Sequence, residues 1–191
     1  MKAMLWLHNR IVAALLPVFL ACALAATAVF AEDAAKLDDL FTRLKTADAA
    51  EAGRIEAEIE LEWSKSGSPT MDLLYKRGED ALAVGNTTAA IEHFTALLDQ
   101  DPDFTEGWNA RATAYYTAGE IGPSLADIAH VLQVNPRHFG AMAGLALILE
   151  ETGKPDQALQ VYRAAQAIHP HLQVVNEAIE RLEKTLEGQE L

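Results

Sequence analysis

The side chains that could carry chemistry are few, and their spacing does not suit catalysis or metal binding. His169 and His171 flank Pro170, and two histidines this close could contribute to a zinc site. A closed zinc site needs two further ligands, yet no third histidine lies at a suitable spacing and the one cysteine, Cys22, lies in an apolar N-terminal segment. We therefore expect no bound metal.

Motifs of nucleophilic catalysis and phosphate binding are missing as well. The run Gly122-Pro123-Ser124 is the nearest to a serine motif, but Ser124 takes a small-residue position that predicts burial inside a helix. The pair Gly153-Lys154 lacks the glycine spacing of a phosphate loop. Asp127 and His130 stand at i, i+3, which is typical of a surface pair rather than part of a catalytic triad. We expect neither enzymatic activity nor a cofactor.

A period of 34 residues organises the chain between Met71 and Leu172. Small and large residues alternate along this period, which predicts pairs of antiparallel helices that approach closely and interdigitate. A glycine and a proline in each unit predict where the first and second helix of the pair end. The recurring residues are Gly85, Gly119 and Gly153; Pro102, Pro136 and Pro170; the small residues Gly78, Ala112, Ala146, Ala90, Ser124 and Ala158; and the large residues Leu74, Trp108, Met142, Phe94, Ile128 and Tyr162.

This period, with a small residue at position 8 and a proline at position 32, resembles the tetratricopeptide repeat (TPR) family. The resemblance implies an all-α fold, a right-handed α-solenoid of helix-turn-helix repeats at 71–104, 105–138 and 139–172. Because one repeat cannot bury its own apolar face, the ends of the array need covering. We expect a divergent helical hairpin over 32–68 to cover the open face of the first repeat, and a capping helix and tail over 173–191.

Apolar spacing predicts that the hairpin consists of two amphipathic helices. Leu37, Leu40, Phe41 and Leu44 share one helical face, and Ile55, Ile59 and Trp63 share another. Asp48 and Glu51 resemble a capping pair at the start of the second helix. Its acidic residues are interpreted as a solvated face rather than a site; they are Glu51, Glu56, Glu58, Glu60 and Glu62.

The resemblance also implies a concave groove, lined by the first helix of each repeat, that binds another protein or a peptide. Phenol and amide groups there can hydrogen-bond an extended backbone while aromatic rings supply apolar area. Arg137, in the turn before the third repeat, either faces this groove or packs at the junction between repeats. The predicted partner-binding residues are Tyr75, Glu79, Asn109, Thr113, Tyr116 and Arg137.

The best-known groove of the family clamps a carboxylate with basic and amide side chains, and this sequence departs from it. Tyr75 and Glu79 stand at positions 5 and 9 of the first repeat, where they offer an anionic tail no positive charge. The net charge of −13 further disfavours nucleic acid and favours either solubility or a basic partner. The partner's identity is not encoded in any motif.

Residues 1–31 resemble an export signal, with Lys2 and Arg10 followed by an apolar run that ends in Val29-Phe30-Ala31. Cleavage there predicts an exported, periplasmic scaffold for envelope assembly or a multiprotein complex. An uncleaved segment would instead make the protein a membrane-tethered structural or oligomerisation component, anchored in the inner membrane and facing the periplasm. A lipid-modified Cys22 is a third alternative.

Overall fold

The computed structural model describes residues 34–189, and every regular element among them is an α-helix. Contacts divide the chain into two compact units, Met1–Leu40 and Phe41–Leu191. Within the first unit the structure describes only 34–40, the start of helix α1. The predicted signal segment and Cys22 therefore lie outside the described residues. The helices are α1 (34–44), α2 (Ala49–Trp63), α3 (Pro69–Ala83), α4 (Thr87–Leu98), α5 (Thr105–Thr117), α6 (Ile121–Val134), α7 (Phe139–Glu151), α8 (Pro155–Ile168) and α9 (Gln173–Gln189).

The repeat glycines end the first helix of each pair. Gly85, Gly119 and Gly153 have φ of 75°, 80° and 75°, a left-handed conformation that residues with a side chain adopt only at a cost. Pro155 stands in the first turn of α8, where its missing N–H costs no hydrogen bond. The sequence thus encodes the A and B helices of each repeat, α3/α4, α5/α6 and α7/α8, within two residues of the expected limits on the A helices.

Small residues allow the A and B helices of a repeat to cross closely. A Cβ atom added to Gly78 would lie within 2.6 Å of Cζ of Phe94, inside the volume that this fully buried ring occupies. In the second repeat Ser124 is completely buried, and its hydroxyl donates to the carbonyl of Ala112 over 2.9 Å. The expectation that Ser124 is buried at the helix crossing is confirmed.

Asp127 is not the surface residue that the sequence suggested. Its side chain is only 6% exposed and accepts two hydrogen bonds from the guanidinium of Arg111, at 2.7 and 3.0 Å. Arg111 also donates to the hydroxyl of Thr95 at 3.2 Å, which links the first repeat to the second. The pairing with Asp127 raises the pKa of Arg111. The i, i+3 partner, His130, instead packs against the ring of Trp108.

The N-terminal hairpin, which we expected to cover the open face of the first repeat, also contacts the later repeats. Trp63 stacks on His138 with ring centres 4.3 Å apart, and Arg137 lies 4.4 Å above the ring of Phe41. Helix α2 also faces Asp72, Tyr75 and Glu79 of the first repeat. The capping role predicted for Asp48 is confirmed, since its carboxylate accepts from the amides of residues 50 and 51.

The C-terminal helix completes the array. Val175, Ile179 and Leu182 of α9 are buried in one cluster with Tyr162 of α8, which matches the expected cap. The helix continues to Gln189, past the point where we expected the chain to fray. Among residues 34–189 no helix is both long and apolar enough to cross a membrane.

Candidate functional site

The A helices of the three repeats face an open cavity of about 730 Å³, which we call the α2 cleft. One wall is built from positions 2, 5 and 9 of the repeats, as the resemblance implied, and the other is helix α2, which the sequence had not placed there. The repeat wall consists of Asp72, Tyr75, Glu79, Glu106, Asn109, His138, Phe139 and Gly140. The α2 wall, with the residues that follow it, consists of Ala57, Glu60, Leu61, Trp63, Ser64 and Lys65.

A second, smaller cavity of about 240 Å³ lies between the A helices of repeats two and three, and we call it the repeat 2–3 cavity. Small residues of α7 leave the space: a Cβ added to Gly144 would reach 3.6 Å from Cδ1 of Ile128 without a clash. Its lining is Asn109, Ala112, Thr113, Tyr116, Ser124, Ile128, Gly140, Ala141, Gly144, Leu147 and Ile148. This mostly apolar lining suits one apolar side chain of a partner.

Five of the six predicted residues line these cavities. Tyr75 and Glu79 lie in the α2 cleft, Thr113 and Tyr116 lie in the repeat 2–3 cavity, and Asn109 lines both. The concave positions therefore form one connected surface along α3, α5 and α7. Arg137 is outside both linings and packs on Phe41 of the hairpin, a contact that neither alternative in the sequence analysis had named.

Tyr75 joins the site to the core. Its ring packs against Phe94 and Phe104, with centres 5.8 and 5.5 Å apart. Burial, followed by the nearby carboxylates of Glu106 and Glu79, raises the pKa of Tyr75. The phenol thus stays neutral and can donate a hydrogen bond at neutral pH, on a ring that the core holds in place.

Hydrogen bonds inside the site orient its polar groups. The amide of Asn109 donates to Glu106 over 2.9 Å, and the hydroxyl of Tyr116 donates to Glu151 over 2.7 Å. Nδ1 of His138 accepts from the backbone N–H of Ala141, so Nε2 carries the proton and donates to Glu106 over 2.9 Å.

The α2 cleft is strongly acidic. Four carboxylates line it, from Glu60, Asp72, Glu79 and Glu106, whereas its one lysine, Lys65, is paired with Glu62 over 2.6 Å. Sequence reasoning had assigned Glu60 to a solvated face and Trp63 to the apolar face of the hairpin, whereas it had considered His138, with Arg137, as a turn residue that could face the groove. Glu60 and Trp63 do share an i, i+3 helical face, but that spacing does not say what the face meets.

Comparison with known proteins agrees with this architecture. The sequence pattern described as tetratricopeptide repeat matches residues 75–122 and 124–172, which is about half of the chain. The chain belongs to the tetratricopeptide repeat family. A TPR repeat-containing protein of Rhizobium etli is 36% identical over 154 residues, which cover 80% of this chain and 76% of that protein. Longer curated relatives are matched over only 23% of their length.

Two solved TPR domains share the fold at low sequence identity. The Sgt2 TPR domain from Aspergillus fumigatus has a TM-score of 0.60 and 21% identity, and the match covers 64% of this chain and 83% of that one. The first TPR domain of Spaghetti (RPAP3) was solved with an HSP90 peptide, SRMEEVD. It has a TM-score of 0.58 and 18% identity, and the match covers 61% of this chain and 93% of that one. TPR repeats mediate protein–protein interactions and are generally not enzymes.

The acidic wall of this TPR array gives its stability a defined pH dependence. Burial and neighbouring carboxylates raise the pKa of Glu60, and burial raises that of Glu79, above the ordinary value of 4.5. The folded state binds these two protons more tightly than the unfolded chain does. The protonated side chains of Glu60 and Glu79 therefore stabilise the fold fully below pH 4.5, and this stabilisation is lost as the pH rises through their raised pKa values. Solvent keeps the effect small, since both side chains are substantially exposed.

We expect the double substitution Glu60→Gln and Glu79→Gln to raise the melting temperature at pH 7 and to flatten its decline between pH 4.5 and 7. Thermal unfolding followed by circular dichroism across this range would measure it. Glu58→Gln, on an exposed side of α2 away from the cleft, is the matched control and should leave the slope as in the wild type. Equal slopes for the double variant and the wild type would contradict the prediction.

Proposed function

We propose that this protein is an exported TPR scaffold that holds a segment of another protein on the concave face of its repeats. The observation that carries this is the continuous surface formed by Tyr75, Glu79, Asn109 and Tyr116 along two cavities. Such a surface offers hydrogen-bonding groups, an anchored aromatic ring and a small apolar cavity. These are the features by which a groove binds an extended segment or a helix.

The bound segment is basic and carries an apolar anchor. Asp72, Glu79 and Glu106 give the repeat wall three carboxylates, which attract Lys or Arg and repel acidic tails. An acidic peptide such as SRMEEVD, which the RPAP3 domain binds, is therefore expected to bind poorly here. The apolar anchor would fill the repeat 2–3 cavity between α5 and α7. The net charge of −13 would also steer a basic partner toward the protein.

Export is supported by the sequence of residues 1–31 alone, which resembles a cleaved signal. Release into the periplasm would place the scaffold in envelope assembly or a multiprotein complex. N-terminal sequencing of the protein from its source cell tests this. A start at Glu32 supports export with cleavage, whereas a retained Met1 in the membrane fraction would favour the tethered structural component.

Binding is tested with peptides of matched composition. We expect Lys-rich 12-residue peptides with one central Leu or Phe to bind the full-length chain, and the Glu-rich equivalents to fail, by fluorescence anisotropy at 50 and 200 mM salt. Tyr75→Ala together with Tyr116→Ala should weaken binding on the order of tenfold or more, the effect of removing aromatic hot spots. Added salt should weaken it further.

The control variant is Tyr115→Ala, on the same helix as Tyr116 but directed at Arg111, where its ring lies 5.7 Å from the guanidinium. It should bind as the wild type does, and all variants should keep the helical circular dichroism. If the double alanine variant binds Lys-rich peptides unchanged, the binding site is not on the concave face. If neither peptide class binds, the proposed peptide scaffold is wrong.

A further inference from the structure

Ring stacking and a hydrogen bond join the two ends of helix α2 to the repeats. Trp63 stacks on His138 and lies 5.3 Å from the ring of Phe139. Further along the hairpin, Nε2 of His171 donates to the carbonyl of Ala47 over 2.8 Å. These contacts lie at the two ends of α2. Nearer its middle Ala52, Ile55 and Ile59 are fully buried, and the α2 cleft lies between the Ala57 and Glu60 side of the helix and the repeats.

The electrostatics of this contact are unfavourable. Helix α2 presents Glu60 to a repeat wall that carries Glu79 and Glu106. Burial, Glu56 and Glu106 all raise the pKa of Glu60, which shows that the ionised carboxylate is poorly accommodated there. Like charges that face each other across a contact destabilise it. An acidic helix is therefore a poor match for this face, whereas a basic segment would be a good one.

A buried histidine adds a second cost at the same contact. His169 is 1% exposed, and neither of its ring nitrogens makes a hydrogen bond. Its polar neighbour is Glu56 of α2, whose Oε2 lies 3.3 Å from Nε2. A buried polar group without a hydrogen bond loses the solvation it has in the open state, so separating α2 from the repeats would restore water to His169.

The packing between repeats combines buried apolar contacts with a buried ion pair. Ala114 of α5 and Phe94 of α4 are fully buried in one cluster, and the Arg111–Asp127 pair is shielded from solvent with its hydrogen bonds made. The connection from α2 to α3 is short and contains Gly67 at φ 71°, where a residue with a side chain would be strained. Ser66 hydrogen-bonds Asp72 and so fixes the α3 side of this connection.

We propose that α2 is a strap over the concave face that opens at the connection 64–68 while the repeats stay folded, and that a partner segment takes its place. This inference rests on the proposed function only for the identity of the competitor, because the opening itself is a property of the free chain. In the open state the ring of His138 and the A-helix carboxylates become accessible together. The partner's basic side chains then face these carboxylates, and its apolar anchor fills the repeat 2–3 cavity.

Hydrogen–deuterium exchange of the full-length chain, followed by mass spectrometry, tests the opening without any partner. We expect amides within α2 to exchange on the order of tenfold faster than those of α5 and α6, because local opening needs less free energy than unfolding the repeats. Trp63→Ala should accelerate exchange in α2 and leave α5 and α6 unchanged. Glu60→Gln should slow exchange in α2, and Glu58→Gln is its control.

Two results would contradict the proposal that α2 opens while the repeats stay folded. In the first, the amides of α2 exchange at the same rate as those of α5 and α6. In the second, Trp63→Ala accelerates exchange equally in all three helices. A Lys-rich peptide then tests competition: Trp63→Ala should bind it at least threefold more tightly than the wild type, and unchanged or weaker binding would refute displacement. If neither the wild type nor Trp63→Ala binds the peptide, the proposed function is refuted. The exchange data still test whether α2 opens.

Discussion

Arg111→Met should be among the most destabilising single substitutions in the repeats. The change removes the guanidinium that donates twice to Asp127 and leaves that carboxylate buried, with a side chain 6% exposed and no counter-charge. Stranding one partner of a buried ion pair costs about 3–5 kcal/mol. Urea denaturation of both chains at pH 7 would measure the loss as a lower midpoint with an unchanged slope.

Two further variants separate this effect from the loss of a generic ion pair. Arg163→Met breaks the exposed Arg163–Glu183 pair, whose atoms are also 2.7 Å apart, and should cost at most about 1 kcal/mol. Replacing both Arg111 and Asp127, as Met and Leu, should restore much of the stability, since no charge is left in the interior. Equal losses for Arg111→Met and Arg163→Met would show that burial of the pair has no energetic consequence.

Phe94→Ala should have a comparable effect through packing alone. Phe94 is completely buried between the helices of the first repeat, with the Tyr75 ring against it and Gly78 directly beneath. Removing a buried phenylalanine costs about 3–5 kcal/mol in lost apolar contact and cavity formation. Thermal and urea unfolding would record it. The control Leu73→Ala, on α3 with half of its surface exposed, should change stability by less than about 0.5 kcal/mol.

The same site offers a coupling test. Gly78→Ala alone should destabilise by about 1–3 kcal/mol, because the added methyl group overlaps the Phe94 ring. In the Phe94→Ala background the methyl group has room, and alanine favours the helix by about 1 kcal/mol over glycine. The penalty should then vanish or reverse. Additive effects of the two substitutions would contradict the close approach of α3 and α4.

The repeats were predictable in detail because their determinants are local and recur. Gly85, Gly119 and Gly153 end helices through their own backbone conformation, and Gly78 faces Phe94 of the same repeat. The burial of Asp127 was not predicted, because its i, i+3 spacing to His130 describes neighbours on one helix and not contacts with other helices. Its partner, Arg111, is 16 residues away on α5, and their meeting depends on how α5 and α6 cross.

One part of the candidate site could likewise be predicted from the sequence, and another part could not. The concave positions, among them Tyr75, Asn109 and Tyr116, follow from the repeat number of each residue, so they could be named before the structure was known. Neither the acidic wall formed with Glu60 nor the packing of Arg137 on Phe41 could be predicted from the sequence. Both depend on where the N-terminal hairpin packs, and no period or motif specifies that.

By itself, the sequence determined the all-α repeat fold, the helix limits and the residues that face the groove, because these depend on short-range spacing and on nearest-neighbour stacking. Only the tertiary structure decided that α2 crosses the concave face, with Trp63 on His138 and Glu60 opposite Glu106. The physical reason is that such contacts join residues from about 45 to 75 positions apart, where loop closure allows many pairings and the final packing energy selects one.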